Sequence, residues 1–420
     1  MPLVYVVLAL AVLVLFGAPL FSIIGTISLL GFSSQGIDTA AIIVEMYRLA
    51  SQPVLLAIPL FTVSGYFLAE SKAPQRIVAL AQALIGWMPG GLAIVVLASC
   101  AIFTAFTGGS GITIVALGGL VFPILIAEKY SEKFVLGLVT TSGSLGLLFP
   151  PSLPIILYGT VAEVSIDQLF RAGIVPGIVL VTVLAVYSIR QGIASKIERH
   201  PFDAKKLWAA LKNVIWEIPL PFFIIGGIYG GYFTATEAAA VTAFYVFIVE
   251  VFIYKDLKIT TDVPRVMKES MVLVGAILMI LAMAMGLTSF LIDQQIPQRL
   301  FELIRQVVES KIVFLMILNL FLLVIGMMME IFSAIVVVPL IVPIAKQYGV
   351  DPIHLGIIFL ANLEIAYLMP PVGMNLFMSS FRFKKSIGKV TVATLPFILV
   401  LLAGLLIITY IPQLSLWLVK

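Results

Sequence analysis

Apolar residues run through this chain in long blocks that polar residues interrupt at a few places only. Reading the blocks in order predicts helices of membrane-crossing character near 2–17, 19–34, 53–70 and 168–189, and again near 216–233, 236–254, 271–292 and 388–411. A lipid-crossing helix needs about 20 consecutive apolar residues. Between these blocks lie segments of another kind. From Phe103 the chain reads FTAFTGGSGITIVALGGLVFPIL, two apolar arms meeting at Gly108-Gly109-Ser110-Gly111; from Thr140 it reads TTSGSLGLLFPPS, an apolar run cut by Pro150-Pro151. The arms are short for two spans, so 90–127 is expected to be a hairpin that enters the membrane and returns. The segment 133–162 is expected to be a span broken at its middle. Non-helical backbone at membrane depth is tolerated only where protein or a watery cavity covers it, which places tip and break together inside the molecule.

The same pattern recurs 220 residues later. Pro123 falls on Pro343, Pro150 on Pro370 and Pro151 on Pro371, and the second copy reads IGMMMEIFSAIVVVPLIVPI and ANLEIAYLMPPVG. This predicts a second hairpin at 311–346 and a second broken span at 352–381, with amphipathic stretches at 74–88 and 297–310 as candidate arms. Interrupted apolar segments at corresponding places in two halves mark transporter binding sites. The fold expected is an all-α polytopic membrane protein of two repeats: 1–189, a basic linker at 190–215, and 216–420. Five crossings per repeat make the two inverted in topology. With the linker in the cytoplasm, 18 of the 25 Lys and Arg residues fall on that side, as the positive-inside rule asks. Both termini are then outside.

Composition agrees. The chain is 61% hydrophobic and 11% charged, with mean hydropathy +1.17; a soluble domain carries about 25% charged residues. The lone Cys100 excludes an internal disulfide and a multi-cysteine metal site. A net charge of +4 gives no argument for nucleic acid. The N-terminal apolar run lacks a basic lead and a small-residue cleavage site, so it reads as a retained span.

The candidate chemistry sits at the interruptions. Thr107, Ser110 and Thr113 offer hydroxyls at the first tip, and Ser142, Ser144 and Ser152 flank the first break. Pro150 and Pro151 lack N–H donors, which frees carbonyls upstream. Hard cations prefer such oxygens, and unwound carbonyls coordinate Na⁺ in transporters. The second tip, Gly326 to Glu330, carries a carboxylate; the second break carries Asn362, Glu364, Gly373 and Asn375. Acids inside a membrane are costly and point to function, with a capping or buried pairing role as the alternative for Glu330 and Glu364. Glu237, in TATEAAA, is expected to cap a helix. His200 and His354 stand apart from any metal-ligand pattern and are expected to be solvated or capping.

The segments FTGGSGIT, GSLGLLFPPSLPIILYG, GYFTATEAAAV and GVDPIHLGIIFLANLEIAYLMPPVGMNLF together resemble the large membrane subunit of tripartite ATP-independent periplasmic (TRAP) transporters, the DctM family, over nearly the whole chain. The resemblance implies a sodium-driven importer of a small organic acid in a bacterial or archaeal cytoplasmic (inner) membrane. It implies a scaffold and an elevator-type transport domain and no cofactor beyond Na⁺ as coupling ion. Its partners would be a small four-helix membrane subunit on a separate chain and a periplasmic substrate-binding protein. Carried over residue by residue, it points to Gly108, Ser110, Gly111, Ser144 and Gly146 as one sodium site. It points to Gly326, Met329, Glu330, Asn362 and Met369 as the other. Thr113, Pro150, Pro151, Ser152, Pro370, Pro371, Gly373 and Asn375 would line the substrate space between. The chain departs from the family pattern at Ala366 and Met369, where the family often carries Gly and Thr. A stand-alone sodium- or proton-coupled carboxylate permease of related fold is the alternative; an enzyme is not expected, since no cluster of His, Asp or Cys stands near one interface.

Overall fold

A computed structural model describes residues 12, 16–88, 90–195 and 202–419. Those residues are helical or in turns, without a strand. The expected first span, 2–17, lies outside the described residues except at 12, 16 and 17, and His200 lies outside them too. Among the described residues seven helices are long and apolar enough to cross a membrane, and a bent pair, Glu132–Leu148 with Leu153–Ala162 at 45°, makes an eighth candidate.

Local chemistry explains where the helices start. Ser131 accepts from the Phe134 N–H, Ser165 from that of Gln168, and Asp351 from those of Ile353 and His354. These side chains satisfy donors that a helix leaves unpaired in its first turn. Thr234 and Glu237 form a reciprocal capping box. The chain reverses just before two of these starts through left-handed residues, Lys129 at φ 64° and Gly349 at φ 69°, which are 220 positions apart. Two amphipathic helices escaped the sequence reading: Ala40–Ala50, and Ala204–Asn213 within the basic linker, the latter started by Asp203. Each is short and only part apolar, so the search for long apolar blocks passes over it.

Four helices pack across the halves. Leu20–Ser34 lies on Asp262–Asp293, where Gly25 and Gly31 admit Met283 and Phe290, and Phe32 meets Phe290 edge-on at 5.4 Å. Pro53–Glu70 lies on Ala235–Ile253, with Phe67 and Phe247 at 5.8 Å. Pro219–Tyr229 stays beside Ala235–Ile253, and a second body holds the other apolar helices. Gly91–Thr107 and Ser110–Ala127 meet at Gly108 and Gly109; Lys311–Met328 and Ile331–Gln347 meet at Met329 and Glu330. Between these pairs run the interrupted helices, Glu132–Ser142 to Leu153–Ala162 and Pro352–Ala366 to Met374–Phe383. Pro352–Ala366 is buried along almost its whole length and forms the centre of this body.

Both proline pairs are cis. Beyond them the spacing between the halves grows by one. Ser152 and Gly373 precede the next helices, Glu163 and Lys384 both take φ 52° at their ends, and Ser165 and Ser386 precede the helices after that. The second copy therefore holds one extra residue between its prolines and Gly373.

Candidate functional site

The first tip is built by glycine. Gly108 ends its helix in the left-handed region at φ 65°, where a side chain would also strike Leu153, and Gly109 is extended before Ser110 starts the return helix. This tip touches the first break directly. The Thr104 hydroxyl lies 2.7 Å from that of Thr113 and 2.9 Å from the Gly143 carbonyl, and a side chain on Gly143 would come within 3.2 Å of the Ser110 carbonyl. Gly146 lets the break sit against the outer arm: a Cβ there would lie 2.4 Å from the Ala101 carbonyl. Gly111 rests on Met378.

The second tip turns without a left-handed residue. Met329 and Glu330 are both extended, so this turn tolerates side chains that the first would not. Both of its arms are held from the second break: the Ile331 N–H of the return helix donates to the Tyr367 hydroxyl at 2.6 Å, and the Val372 N–H donates to the carbonyl of Met327 on the first arm at 3.2 Å. Gly326 gives the close approach, since a Cβ there would lie 2.6 Å from that of Ala366. Glu330 occupies the start of the helix but makes no cap hydrogen bond with its side chain.

The two breaks meet at the centre. The Ser144 hydroxyl lies 3.3 Å from the Glu364 carbonyl, and the Asn375 amide donates to the Thr140 carbonyl at 3.1 Å and to Ser144 at 3.3 Å. Thr140 also reaches Ser379 at 2.8 Å. In the other direction Tyr158 donates to the Pro352 carbonyl at 2.8 Å, and its ring lies tilted against that of Phe359 at 5.7 Å. Each interrupted helix thus packs against the opposite half.

Buried oxygens without a partner concentrate here. Among the described residues they include Thr107 Oγ1, Thr141 Oγ1, Ser152 Oγ, Asn362 Oδ1, Asn375 Oδ1 and both carboxylate oxygens of Glu364. Buried polar groups are normally hydrogen-bonded, so a cluster of orphaned acceptors is chemically specific. Neutral hydroxyl, amide and carbonyl oxygens are the donor set of a hard monovalent cation. Among the described residues there is no group of three His, Cys, Asp or Glu side chains suited to a metal ion.

Asn362 and Glu364 do not act together. Asn362 donates to Asn319 at 2.7 Å, and Asn319 donates to Thr409 at 3.2 Å. Two residues along a helix is a rotation of about 200°, so Glu364 faces away from that network. Of the two roles expected for His354, the solvated one is corrected and the capping one remains: it is buried, with its ring nitrogens 3.1 Å from Ser415 Oγ and 3.2 Å from the Thr409 carbonyl in the last turn of Ile387–Tyr410. Its ring joins two helix ends rather than meeting solvent. Glu237 caps as expected. The sequence reading missed Thr104, Thr141, Asn319 and Tyr367. Asn319 alone carried a signal, as a polar residue inside an unbroken apolar run.

The two tip-and-break regions differ in access. Thr107, Gly108, Ser110, Gly111, Pro150, Pro151 and Ser152 are all buried. Met328, Pro370, Pro371 and Phe377 are exposed, and Met329, Glu330 and Met369 half-buried. Leu153–Ala162 is covered by Pro53–Glu70, whereas Met374–Phe383 turns Phe377 and Phe381 outward.

Residues 7–414 match the family model described as "Tripartite ATP-independent periplasmic transporter, DctM component". The "C4-dicarboxylate TRAP transporter large permease protein DctM" of Pseudomonas aeruginosa is 36% identical over 394 residues, covering 93% of this chain and 92% of the relative. The "Isethionate TRAP transporter permease protein DctMQ" of Oleidesulfovibrio alaskensis is 33% identical, covering 86% of this chain and 58% of that one. The "Ectoine TRAP transporter large permease protein TeaC" of Halomonas elongata is 29% identical, covering 97% and 96%. Among solved structures, the YdaH transporter of Alcanivorax borkumensis superposes with a TM-score of 0.62 at 14% identity, covering 90% of this chain and 87% of that one, which is a likeness of fold.

Proposed function

The chain belongs to the DctM family of tripartite ATP-independent periplasmic transporters, and on that footing we propose that it imports a small organic acid, coupled to Na⁺, by moving one helical body against another. The proposed partners are a periplasmic substrate-binding protein and a small four-helix membrane subunit, in the cytoplasmic membrane. The observation that carries the ion coupling is the set of orphaned neutral oxygens at the tips and breaks. A cation stripped of water replaces its shell with such oxygens, while a carboxylate substrate meets the N-terminal ends of the interrupted helices. Ser110, Ser144 and the carbonyls beside them are proposed as one ion site. Asn362 with the Gly326–Glu330 turn is proposed as the other.

The packing supports re-entrant hairpins. Ser110–Ala127 is long enough to cross a membrane by count alone. Its tip, however, touches Gly143, in the middle of an interrupted helix, so the arms end at half-depth. We read the four cross-packed helices as the scaffold and the tips and breaks as the transport domain. In the inverted topology proposed, the covered helix Leu153–Ala162 faces outward and the uncovered Met374–Phe383 faces the cytoplasm. The arrangement is then the inward-facing one.

The test is uptake into proteoliposomes with an inward Na⁺ gradient and no ATP, offering C4-dicarboxylates, isethionate and ectoine with a cognate binding protein. Uptake of one acid that collapses without Na⁺ is expected. Full uptake driven by a proton gradient in Na⁺-free buffer overturns the ion coupling, and full uptake without a binding protein favours the stand-alone permease.

A further inference from the structure

One buried ionic cluster lies outside the tips and breaks. Arg76, on the amphipathic helix Ala73–Ile85, is only 12% exposed and meets three carboxylates. Its guanidinium donates to Asp256 at 2.6 Å, to both oxygens of Glu250 at 2.9 and 3.2 Å, and to Glu217. The Tyr254 ring lies 3.8 Å from the guanidinium carbon, and the Tyr254 hydroxyl is 2.8 Å from Glu217 and 2.6 Å from the Asn213 carbonyl. The Lys72 N–H donates to Asp256 at 3.1 Å. Asp256 also has the exposed Lys72 ammonium at 3.9 Å, but Arg76 is the buried counter-charge that all three acids share, and two cations against three acids leave the cluster short of positive charge.

The cluster joins distant parts. Arg76 belongs to the first half; Glu217, Glu250, Tyr254 and Asp256 belong to the second, around the helix Ala235–Ile253 that packs on Pro53–Glu70. The corresponding helix of the second half, Ile296–Arg305, has nothing of the kind. Its Arg299 and Arg305 are exposed, and among the described residues no ion pair ties it to another element. On the far side of the first amphipathic helix the chain is gripped by the other body. Gly90, left-handed at φ 69°, lies so close to Ile166–Ala194 that a Cβ would be 2.9 Å from Ile189 Cα, and a Cβ on Gly192 would be 2.7 Å from Gly90 Cα.

We propose that Arg76 is a positioning residue: with Glu217, Glu250 and Asp256 it fixes the cytoplasmic arm to the scaffold, so that the displacement of the transport domain is taken up at the joint marked by Gly86, Gly90 and Gly91. The outer arm carries no such anchor. This rests on the two-body transport reading above. The first experiment bridges cysteines at Lys72 and Lys255, the neighbour of Asp256, with a short bismaleimide in a Cys100→Ser protein. The unbridged protein is the reference: its Na⁺-driven uptake tests the transport reading, and only a difference on bridging bears on the arm. Bridged protein should keep at least about half of the uptake rate; a loss of tenfold or more shows that the arm moves and overturns the proposal. The second experiment removes one charge of each sign, with Arg76→Gln and Glu250→Gln combined. Maximal rate should fall about tenfold while half-saturation for substrate and Na⁺ stays within about threefold, because the tips are untouched. Restored Arg76 alone should recover most of the rate. An unchanged maximal rate, or a loss confined to half-saturation, overturns the role of Arg76.

Discussion

Ser110, at the first tip, and Tyr367, at the break beside the second tip, do different work. Ser110 is buried at the first turn of its return helix and faces the break through Gly143. Ser110→Ala removes one hydroxyl oxygen and leaves the carbonyls. An ion in a dry site feels each lost ligand, so half-saturation for Na⁺ should rise about tenfold, or about 1.4 kcal/mol. The check is the Na⁺ dependence of uptake at matched expression; a wild-type curve would leave the carbonyls as the ligands. Tyr367 acts on its tip from another helix by accepting from the Ile331 N–H. Tyr367→Phe strands that buried donor, at a cost of about 1–3 kcal/mol. A thermal midpoint lowered in the variant, measured in detergent, is the expected outcome. No pattern in the sequence announces this bond, because it joins residues 36 positions apart on separate helices.

At the scale of elements, the glycines record where helices must approach closely. Gly65, on Pro53–Glu70, admits the first tip: a Cβ there would lie 2.4 Å from the Phe106 carbonyl and 2.7 Å from Thr107 Cα. Both are backbone atoms, so relief requires the helices to part. Gly65→Ala should cost about 1–3 kcal/mol, and the thermal midpoint should fall by a few degrees. An unchanged midpoint would mean that the helices do not meet this closely in the populated state. The helix interruptions were legible because glycine, proline and short apolar runs leave marks that recur at one spacing. Ala40–Ala50 and Ala204–Asn213 were not, because each is a surface element whose apolar stripe is too short to stand out.

For the whole molecule, orientation follows from where the basic residues fall. The linker should be cytoplasmic and the C-terminal end outside. Single cysteines at Lys205 and Gln413, in a Cys100→Ser background, test it with an impermeant thiol reagent on intact cells. Reaction at 413 and protection at 205 are expected; the reverse pattern contradicts the topology. The parent Cys100 is buried.

The sequence by itself determined the class of molecule, the places where its helices are interrupted, and the family. Those depend on local composition and on spacing along one chain, which is where hydrophobic length, glycine turns and proline breaks are written. Only the tertiary structure decided that each interrupted helix packs on the opposite half, that His354 is buried between helix ends, and that Asn362 and Glu364 serve different faces. It alone sealed the first tip under Pro53–Glu70 while leaving the second open. It also brought Arg76 to three acids at least 140 positions away. These are meetings between residues far apart in the chain, and a buried polar group finds its partner by the fold's geometry, which no local pattern encodes.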